Sequence, residues 1–399
     1  MRLFARVLVA GAALGLVGAP AGASSVKIDQ EKINHLFDGQ LMPDDMVQVL
    51  SHVDVLVPSA TIRKGAAAVP FETSSITLPA LSIRQHDKTY DLYDFLALNR
   101  VAGLMILKDG KVVMEQYNLG INEQTRWLSA SMIKSLTSTL VGVAIQDGHI
   151  GSVQDQVVKY LPALKGSGYD GVTVEQILQM RSGVRWDETY NDPKSDRRQV
   201  LEMQYRQQPG EFLTFMATLK RAHQPGTQYN YSTGETYLVG ALLEAAVGKP
   251  VQDYLSEKLW QPLGMEQDGR WWVLSPEGPI TAGGGYAATL RDYARLAKFY
   301  ADKGVLNGQQ LVPDAWFETA TRSATPDKGY GYQWWTYDKP TDDPVHRGAF
   351  SARGVYGQSM YIHPESGVVI VILGAQSKTG GRMVVDYDAF HAAVLQALR

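Results

Sequence analysis

The chain has 399 residues, with 38 Lys and Arg against 41 Asp and Glu, a formal net charge of −3 at pH 7 and no cysteine. A charge this close to balance, without any run of Lys or Arg, argues against a nucleic-acid-binding protein. The lack of cysteine excludes disulfide bonds and lipid attachment at a cysteine. The length allows a large core and two structural lobes.

The first residues predict a secretory signal peptide over residues 1–23. Two arginines precede a short apolar stretch, Val7–Val17, and Ala21–Ala23 supplies the small residues that a signal peptidase recognises. The apolar stretch is too short to span a bilayer comfortably, and no later segment is apolar for long enough. We therefore expect a secreted, periplasmic protein with no stable membrane association after cleavage behind Ala23.

The next elements are a wrapping segment, a hairpin and a helix. Residues 24–94 are broken by several prolines and carry no motif, so we interpret them as a segment that wraps the following domain. Gly103–Tyr117 alternates apolar and polar residues around Asp109-Gly110, which predicts a β-hairpin. Ser131–Gln146 then predicts a helix with an apolar stripe.

The later chain predicts a helical block of about 150–300, followed by two strands and a closing helix. The strands are Gly357–His363 and Gly367–Leu373, and the helix is Asp386–Leu398. Because strands occur early and late with helices between them, we expect an α+β fold. Its antiparallel sheet is flanked by N- and C-terminal helices, and a mostly helical lobe is inserted.

The expected domain spans residues 95–398. Its sheet is built from about 95–150 and 300–398, and the active site lies in the groove between sheet and helical lobe.

The first chemical motif is Ser131-x-x-Lys134 at the start of the predicted helix. Positions i and i+3 share one helix face, so the lysine amine comes beside the serine hydroxyl. A serine nucleophile needs a base, and burial favours the neutral amine of a lysine. Ser24–Lys27 fits the same pattern, but it falls at the signal cleavage site and opens no apolar helix.

The second motif is Tyr231-Ser232-Thr233, which follows a Pro-Gly turn and precedes an apolar helix. It resembles the Tyr-Ser-Asn motif of class C β-lactamases, their esterase relatives and the 6-aminohexanoate-dimer (nylon-oligomer) hydrolases, within the β-lactamase and penicillin-binding superfamily. The resemblance implies that Tyr231 relays protons between Ser131, Lys134 and the leaving group. Tyr229 is the alternative if the register is shifted. Thr233 replaces the usual asparagine and offers one donor instead of two, which weakens the case for β-lactam recognition.

The third motif of these families, Lys-Thr-Gly, has two candidate positions. Lys378–Gly380 matches it literally, but it follows the last predicted strand and precedes the final helix. Ala352–Gly354 stands where the families place the motif, directly before a strand. We favour Ala352–Gly354 and expect Lys378 to lie in a loop beyond the far end of the last strand.

This choice implies an oxyanion hole formed by the backbone N–H groups of Ser131 and Val355. Gly354 then allows close backbone approach to the substrate, and Arg353 is a candidate for substrate binding. Tyr190, in a segment that looks most like the nylon-oligomer hydrolases, is a further candidate.

Other mechanisms fit less well, because the sequence has neither a Gly-x-Ser-x-Gly elbow nor a His-Glu-x-x-His pair. The resemblance implies a serine hydrolase that cleaves a small-molecule amide or ester through an acyl-enzyme, without a metal or other cofactor. Among such activities we favour one like that of the 6-aminohexanoate-dimer hydrolases or the carboxylesterases. The alternatives are a D-amino-acid peptidase, a weak β-lactamase, or a penicillin-binding or sensor module that acylates without turnover.

Overall fold

The computed structural model of the protein describes residues 27–276, 278–325, 327–380 and 383–399. The predicted signal peptide lies outside these residues. The α-helices of the described residues, in chain order, are α1 (Gln30–Asp38), α2 (Pro43–Ser51), α3 (Val53–Leu56), α4 (Leu92–Leu98), α5 (Lys134–Gln146), α6 (Val157–Tyr160), α7 (Val174–Leu178), α8 (Asp196–Arg206), α9 (Glu211–Thr218), α10 (Thr233–Val247), α11 (Val251–Leu255), α12 (Leu290–Ala301), α13 (Trp316–Ala320) and α14 (Tyr387–Ala397).

The strands, in chain order, are β1 (Ser59–Ile62), β2 (Ile83–Gln85), β3 (Lys88–Tyr90), β4 (Val101–Lys108), β5 (Lys111–Tyr117), β6 (Trp127–Leu128), β7 (Gly269–Trp272), β8 (Tyr286–Ala288), β9 (Val305–Leu306), β10 (Gln309–Gln310), β11 (Trp335–Thr336), β12 (Phe350–Arg353), β13 (Ser359–His363) and β14 (Val368–Gly374).

The largest sheet has six strands in the order β11-β12-β13-β14-β4-β5, and every neighbouring pair is antiparallel. The predicted hairpin is β4–β5, and its turn residues Asp109 and Gly110 both have positive φ, at 50° and 77°. Such a turn suits the right-handed twist of the strands that it joins. Both ends of the chain therefore meet in one antiparallel sheet, which confirms the predicted fold class.

Helices cover both faces of this sheet. Along β14, Ile370 and Ile372 pack in a cluster with Phe95 of α4 and Phe390 of α14, whose rings stack 3.8 Å apart. The alternate residues, including Val371, belong to the main core, on whose side α12 packs against β13, β14 and β4. Because side chains alternate across a strand, a strand covered on both faces is apolar throughout, as the sequence of β14 is.

A second sheet, in the order β1-β7-β8-β6, was not predicted from the sequence. All its pairs are antiparallel, and it joins the N-terminal segment to residues deep within the expected helical block. Its strands have only two to four residues. A segment this short carries no recognisable alternation, so its pairing is set by tertiary contacts.

The N-terminal segment is packed onto the rest of the molecule. Helix α1 buries Ile33, Leu36 and Phe37 in the main core. It ends at Gly39, whose φ of 64° is the left-handed conformation common after a helix. No helix within the described ranges is long and apolar enough to cross a membrane.

Candidate active site

Ser131 lies in a single 3₁₀ turn, Ala130–Ile133, that leads directly into α5. Ala130, just before it, has a φ of 46°, a conformation that costs a non-glycine residue energy and is often kept at functional sites. The residue before the turn is anchored to β8, because the Ser129 N–H donates to the Tyr286 carbonyl at 2.7 Å. The Ser131 side chain is half-buried, so it is both fixed and reachable.

Lys134, the first residue of α5, is only 2% exposed. Its Nζ lies 3.3 Å from Ser131 Oγ, 3.0 Å from Thr233 Oγ1 and 2.6 Å from the Gly283 carbonyl oxygen. Burial lowers the pKa of Lys134 to about 7, although Glu188 acts in the opposite direction. The amine is therefore partly neutral near pH 7, with its lone pair available beside Ser131.

The predicted tyrosine, Tyr231, reaches the same point. Its hydroxyl lies near the Ser131 side chain, which acts on its pKa against the effect of burial, and Lys134 Nζ lies 5.3 Å from its ring centroid. Burial raises the pKa of Tyr231 well above its ordinary value, so the hydroxyl keeps its proton at neutral pH. The ring stacks on Trp335 at a centroid distance of 6.3 Å, which fixes its plane.

The segment before Tyr231 is positioned by Met180, a non-glycine residue with a φ of 56°. The Met180 carbonyl accepts from the Asn230 N–H at 2.9 Å, and its sulfur lies 3.2 Å from the Ser232 nitrogen. Tyr229 points elsewhere: its ring packs on Tyr330, and its buried hydroxyl has no partner among the described residues. The geometry therefore favours the register with Tyr231 at the serine.

Thr233 is brought into the site, but its hydroxyl proton is already engaged. Thr233 Oγ1 donates to Glu188 Oε1 and accepts from Lys134. Glu188 Oε2 accepts from the Thr233 N–H at 2.9 Å and from the indole N–H of Trp186. Thr233 thus holds Lys134 and Glu188 in place and has no second proton for a bound ligand.

Tyr190 also lies at the nucleophile. It lines the same cavity as Ser131, and Ser131 and Glu188 both act on its hydroxyl, the serine lowering its pKa and the glutamate raising it. Burial, reinforced by the Glu188 carboxylate, raises its pKa above the ordinary value, so it too stays protonated. Two protonated tyrosines, Tyr190 and Tyr231, therefore face one serine.

The two expected oxyanion donors border one cavity. The N–H groups of Ser131 and Val355 find no hydrogen-bond acceptor among the described residues, and both residues line a cavity of about 40 Å³. Val355 lies in the loop of the β12–β13 hairpin, a few residues before β13. A hairpin loop fixed at both ends can still hold an N–H group in place.

Gly354 packs against the nucleophile turn, and neither Gly354 nor Arg353 is among the residues that line the cavity. A Cβ on Gly354 would lie 2.5 Å from the Ser129 carbonyl oxygen and would also collide with the Gln358 side chain. This glycine is needed for backbone packing against the nucleophile turn. Arg353 donates from Nε to Ser351 Oγ and from Nη2 to the Tyr337 hydroxyl, both at 2.8 Å.

The literal Lys-Thr-Gly lies in a turn after β14, as expected, but closer to the site than expected. Because β13 and β14 run antiparallel, the end of β14 lies beside the hairpin loop. The Gly380 N–H is 3.4 Å from the Val355 carbonyl oxygen. The Lys378 side chain, however, is exposed, and its ammonium donates to the Gly39 carbonyl at 3.0 Å.

Sequence reasoning missed four parts of the site. Glu188 accepts from Thr233, which is itself a partner of Lys134, and the Gly283 carbonyl accepts from the Lys134 amine. Arg197 lines the cavity, and α1 closes one side of it with Leu36 and Phe37. In the sequence, the Gly-Gly-Gly run at 283–285 by itself predicts only a tight turn. A Cβ on Gly283 would lie 2.8 Å from Lys134 Nζ, which explains that glycine.

No group of three or more His, Asp or Glu side chains in the described part of the chain is placed to hold a metal ion. The site therefore consists of hydroxyl, amine and carboxylate groups around one small cavity. A hydroxyl nucleophile beside a partly neutral amine, with free N–H groups opposite, is suited to acyl transfer.

Comparison with known proteins agrees with this chemistry. A family model described as β-lactamase matches residues 98–394, well over half of the chain. The 6-aminohexanoate-dimer hydrolase of Paenarthrobacter ureafaciens is 30% identical over 338 residues, covering 80% of this chain and 83% of the relative.

Two solved structures share the fold. A Bacillus anthracis protein provisionally named 6-aminohexanoate-dimer hydrolase has a TM-score of 0.74 at 20% identity, covering 92% of this chain and 94% of that one. A family VIII carboxylesterase has a TM-score of 0.58 at 16% identity, covering 76% of this chain and 95% of that one.

The fold and the group around Ser131 define a serine hydrolase. The extent of the family match, together with the identity to the Paenarthrobacter enzyme, makes the particular assignment: this chain belongs to the β-lactamase family.

Proposed function

We propose that this protein hydrolyses small linear amides or esters through an acyl-enzyme on Ser131, with an activity like that of the 6-aminohexanoate-dimer hydrolases or the carboxylesterases. The extensive similarity to the Paenarthrobacter hydrolase supports this substrate class. The observation that carries the mechanism is the set of hydrogen bonds around Lys134.

A neutral lysine amine has two N–H donors and one lone pair. The Gly283 carbonyl can only accept, and the Thr233 hydroxyl also accepts, because its own proton goes to Glu188. With both N–H donors used, the lone pair is left for the Ser131 hydroxyl. Lys134 therefore takes the Ser131 proton as Oγ attacks the substrate carbonyl carbon.

The remaining steps follow from the protonation states. The N–H groups of Ser131 and Val355 stabilise the oxyanion of the tetrahedral intermediate. As the intermediate collapses, Tyr231 donates its proton to the leaving amine or alkoxide and recovers one from the Lys134 ammonium. Water then hydrolyses the Ser131 ester, with the same groups acting in reverse.

A substrate panel tests the proposal: p-nitrophenyl esters, 6-aminohexanoate dimer and nitrocefin. We expect many turnovers on esters or on the dimer. Nitrocefin should be a poor substrate, because Thr233 has no free donor for it. Product release that stops after one equivalent would instead identify a penicillin-binding or sensor module, and nitrocefin as the best substrate would identify a β-lactamase.

We also propose that the protein is exported to the periplasm and acts there after losing residues 1–23. The basic start, the short apolar stretch and Ala21–Ala23 support this location. N-terminal sequencing of the exported protein should give Ser24 as the first residue. A membrane-bound product that retains Met1 would contradict it.

A further inference from the structure

Arg197, near the start of α8, is a buried cation that the mechanism above does not use. It is 6% exposed and lines the same cavity as Ser131, Tyr190 and Val355. Its guanidinium lies over the Phe37 ring of α1, 4.5 Å from the centroid. The Phe37 ring therefore helps to hold the side chain in place at the cavity wall.

The guanidinium of Arg197 has no hydrogen-bonding partner among the described residues. Its Nε and Nη1 atoms are buried and make no hydrogen bond, and no carboxylate of the described residues lies within salt-bridge distance. Glu188 is the acidic group that acts on it electrostatically, but both oxygens of Glu188 are bonded to Trp186 and Thr233. Burying an unpaired charge is unfavourable, and binding an anionic ligand would offset that cost.

The neighbouring arginine, Arg198, is buried to a similar extent but has polar partners. Arg198, 4% exposed, forms a salt bridge with Asp38 of α1 and hydrogen-bonds to Asn34 and to the Tyr190 carbonyl. Arg198 thus attaches α1 to α8, while Arg197 faces the cavity with free donors. The two neighbours have the same charge and similar burial, and differ in their partners.

We propose that Arg197 binds a carboxylate of the substrate, so that this site selects amides or esters carrying a free carboxylate near the scissile bond. This inference rests on the proposed hydrolase function and specifies its substrate class. The planar guanidinium matches a carboxylate geometrically, and a charge-assisted pair in a confined cavity is stronger than one in water. Phe37 and Leu36 would cover the apolar chain between the carboxylate and the reacting carbonyl.

Matched substrates test the inference. One pair is p-nitrophenyl hexanoate and the mono-p-nitrophenyl ester of adipic acid, which places the carboxylate on the acyl side. The other pair is the hexanoate esters of 4-hydroxybenzamide and 4-hydroxybenzoate, which place it on the leaving group. In at least one pair the anionic member should have a kcat/KM at least about tenfold higher, as a charge-assisted hydrogen bond predicts.

Arg197→Met should reduce that anionic-to-neutral ratio by about tenfold or more, and Arg197→Lys should retain part of it. Arg198→Met is the matched control: it loosens α1 and should affect both members of a pair alike, leaving the ratio unchanged. An unchanged ratio in Arg197→Met, or no anionic preference in either pair of the wild-type protein, would overturn the inference.

A binding measurement separates this inference from the proposed function. Hexanoate should raise the Tm of the wild-type protein by about 2 °C or more at concentrations well above its Kd, whereas hexanamide should not. The shift should disappear in Arg197→Met and persist in Ser131→Ala. A Tm shift with hexanoate but no ester hydrolysis would support the carboxylate site and reject the hydrolase function. Ester hydrolysis without a Tm shift would support the hydrolase function and reject the carboxylate site.

Discussion

Ser131–Lys134 and Lys378–Gly380 each match a family motif that contains a lysine, and the two lysines have different surroundings. Lys134 is 2% exposed, and its amine contacts the serine, a hydroxyl and a carbonyl. Lys378 is exposed and donates to the carbonyl of Gly39. The comparison teaches that a lysine becomes a base through burial and through the placement of its acceptors, which three letters of sequence do not specify.

The largest expected effect is at the serine beside the buried lysine. Ser131→Ala should lower kcat by about 10⁴–10⁶ on the best substrate of the panel while the protein stays folded. Ser138→Ala is the control, since Ser138 is buried in the same helix, and its hydroxyl has no partner among the described residues. Wild-type rates in Ser131→Ala, with an unchanged circular dichroism spectrum, would reject the nucleophile.

Removing the buried amine should cost less than removing the serine. Lys134→Met should lower kcat/KM by about 10²–10⁴, the usual contribution of a general base. In the wild-type protein kcat/KM should rise with pH to a plateau, with its midpoint near the Lys134 pKa of about 7. Below that pH the amine is protonated and cannot accept the Ser131 proton; above it the amine is neutral.

The pH profile distinguishes a base from a lysine that merely fills space. If the wild-type rise near neutral pH is absent, or if Lys134→Met retains it, another group is the base. Lys378→Met should keep the wild-type profile, because Lys378 lies outside the cavity.

The hairpin loop that borders the cavity gives the next effect. Gly354→Val should lower kcat/KM by about a hundredfold and destabilise the fold by roughly 1–3 kcal/mol, because the new side chain collides with the Ser129 carbonyl and Gln358. The cause is displacement of the nucleophile turn, not the filling of substrate space. Gly65→Ala is the control, since a Cβ there makes ordinary contacts of 3.4 Å or more. If both variants kept wild-type kcat/KM and stability, the hairpin loop would have to accommodate the new side chain without displacing the nucleophile turn.

The smallest effect is expected at the exposed lysine. Lys378→Ala should change kcat/KM by less than about threefold, under roughly 0.7 kcal/mol. It removes one hydrogen bond to Gly39 and no contact with the cavity. A hundredfold loss here, together with a tolerated Gly354→Val, would make the literal Lys-Thr-Gly the third motif.

Much of the fold and the centre of the site could be predicted because their signals are local. The β4–β5 turn has its own residues, Asp109 and Gly110, and the apolar run of β14 follows from burial on both faces. Ser131 and Lys134 are three residues apart, so helix geometry alone brings them together. Tyr231 lacks such proximity and was found through the family resemblance.

The missed parts depend on contacts between distant residues. Glu188 reaches Thr233 across 45 positions, and nothing around it in the sequence marks it as different from other glutamates. The wall formed by α1 depends on side chains from α8 and the β12–β13 loop. The second sheet is made of strands too short to carry a pattern. These features follow from tertiary packing, which local periodicity does not encode.

The position of α1 has a consequence for how the enzyme is made. The Tyr356 hydroxyl donates to the Leu36 carbonyl, 320 positions earlier in the sequence. The Lys378 ammonium donates to the Gly39 carbonyl over a similar separation. Helix α1 therefore lacks these two partners until nearly the whole chain has been synthesised, and closing such long loops is slow. A partly synthesised chain would contain Ser131 and α1 without the two late residues that hold α1 beside the cavity. Catalytic competence should thus be one of the last properties that the folding chain acquires.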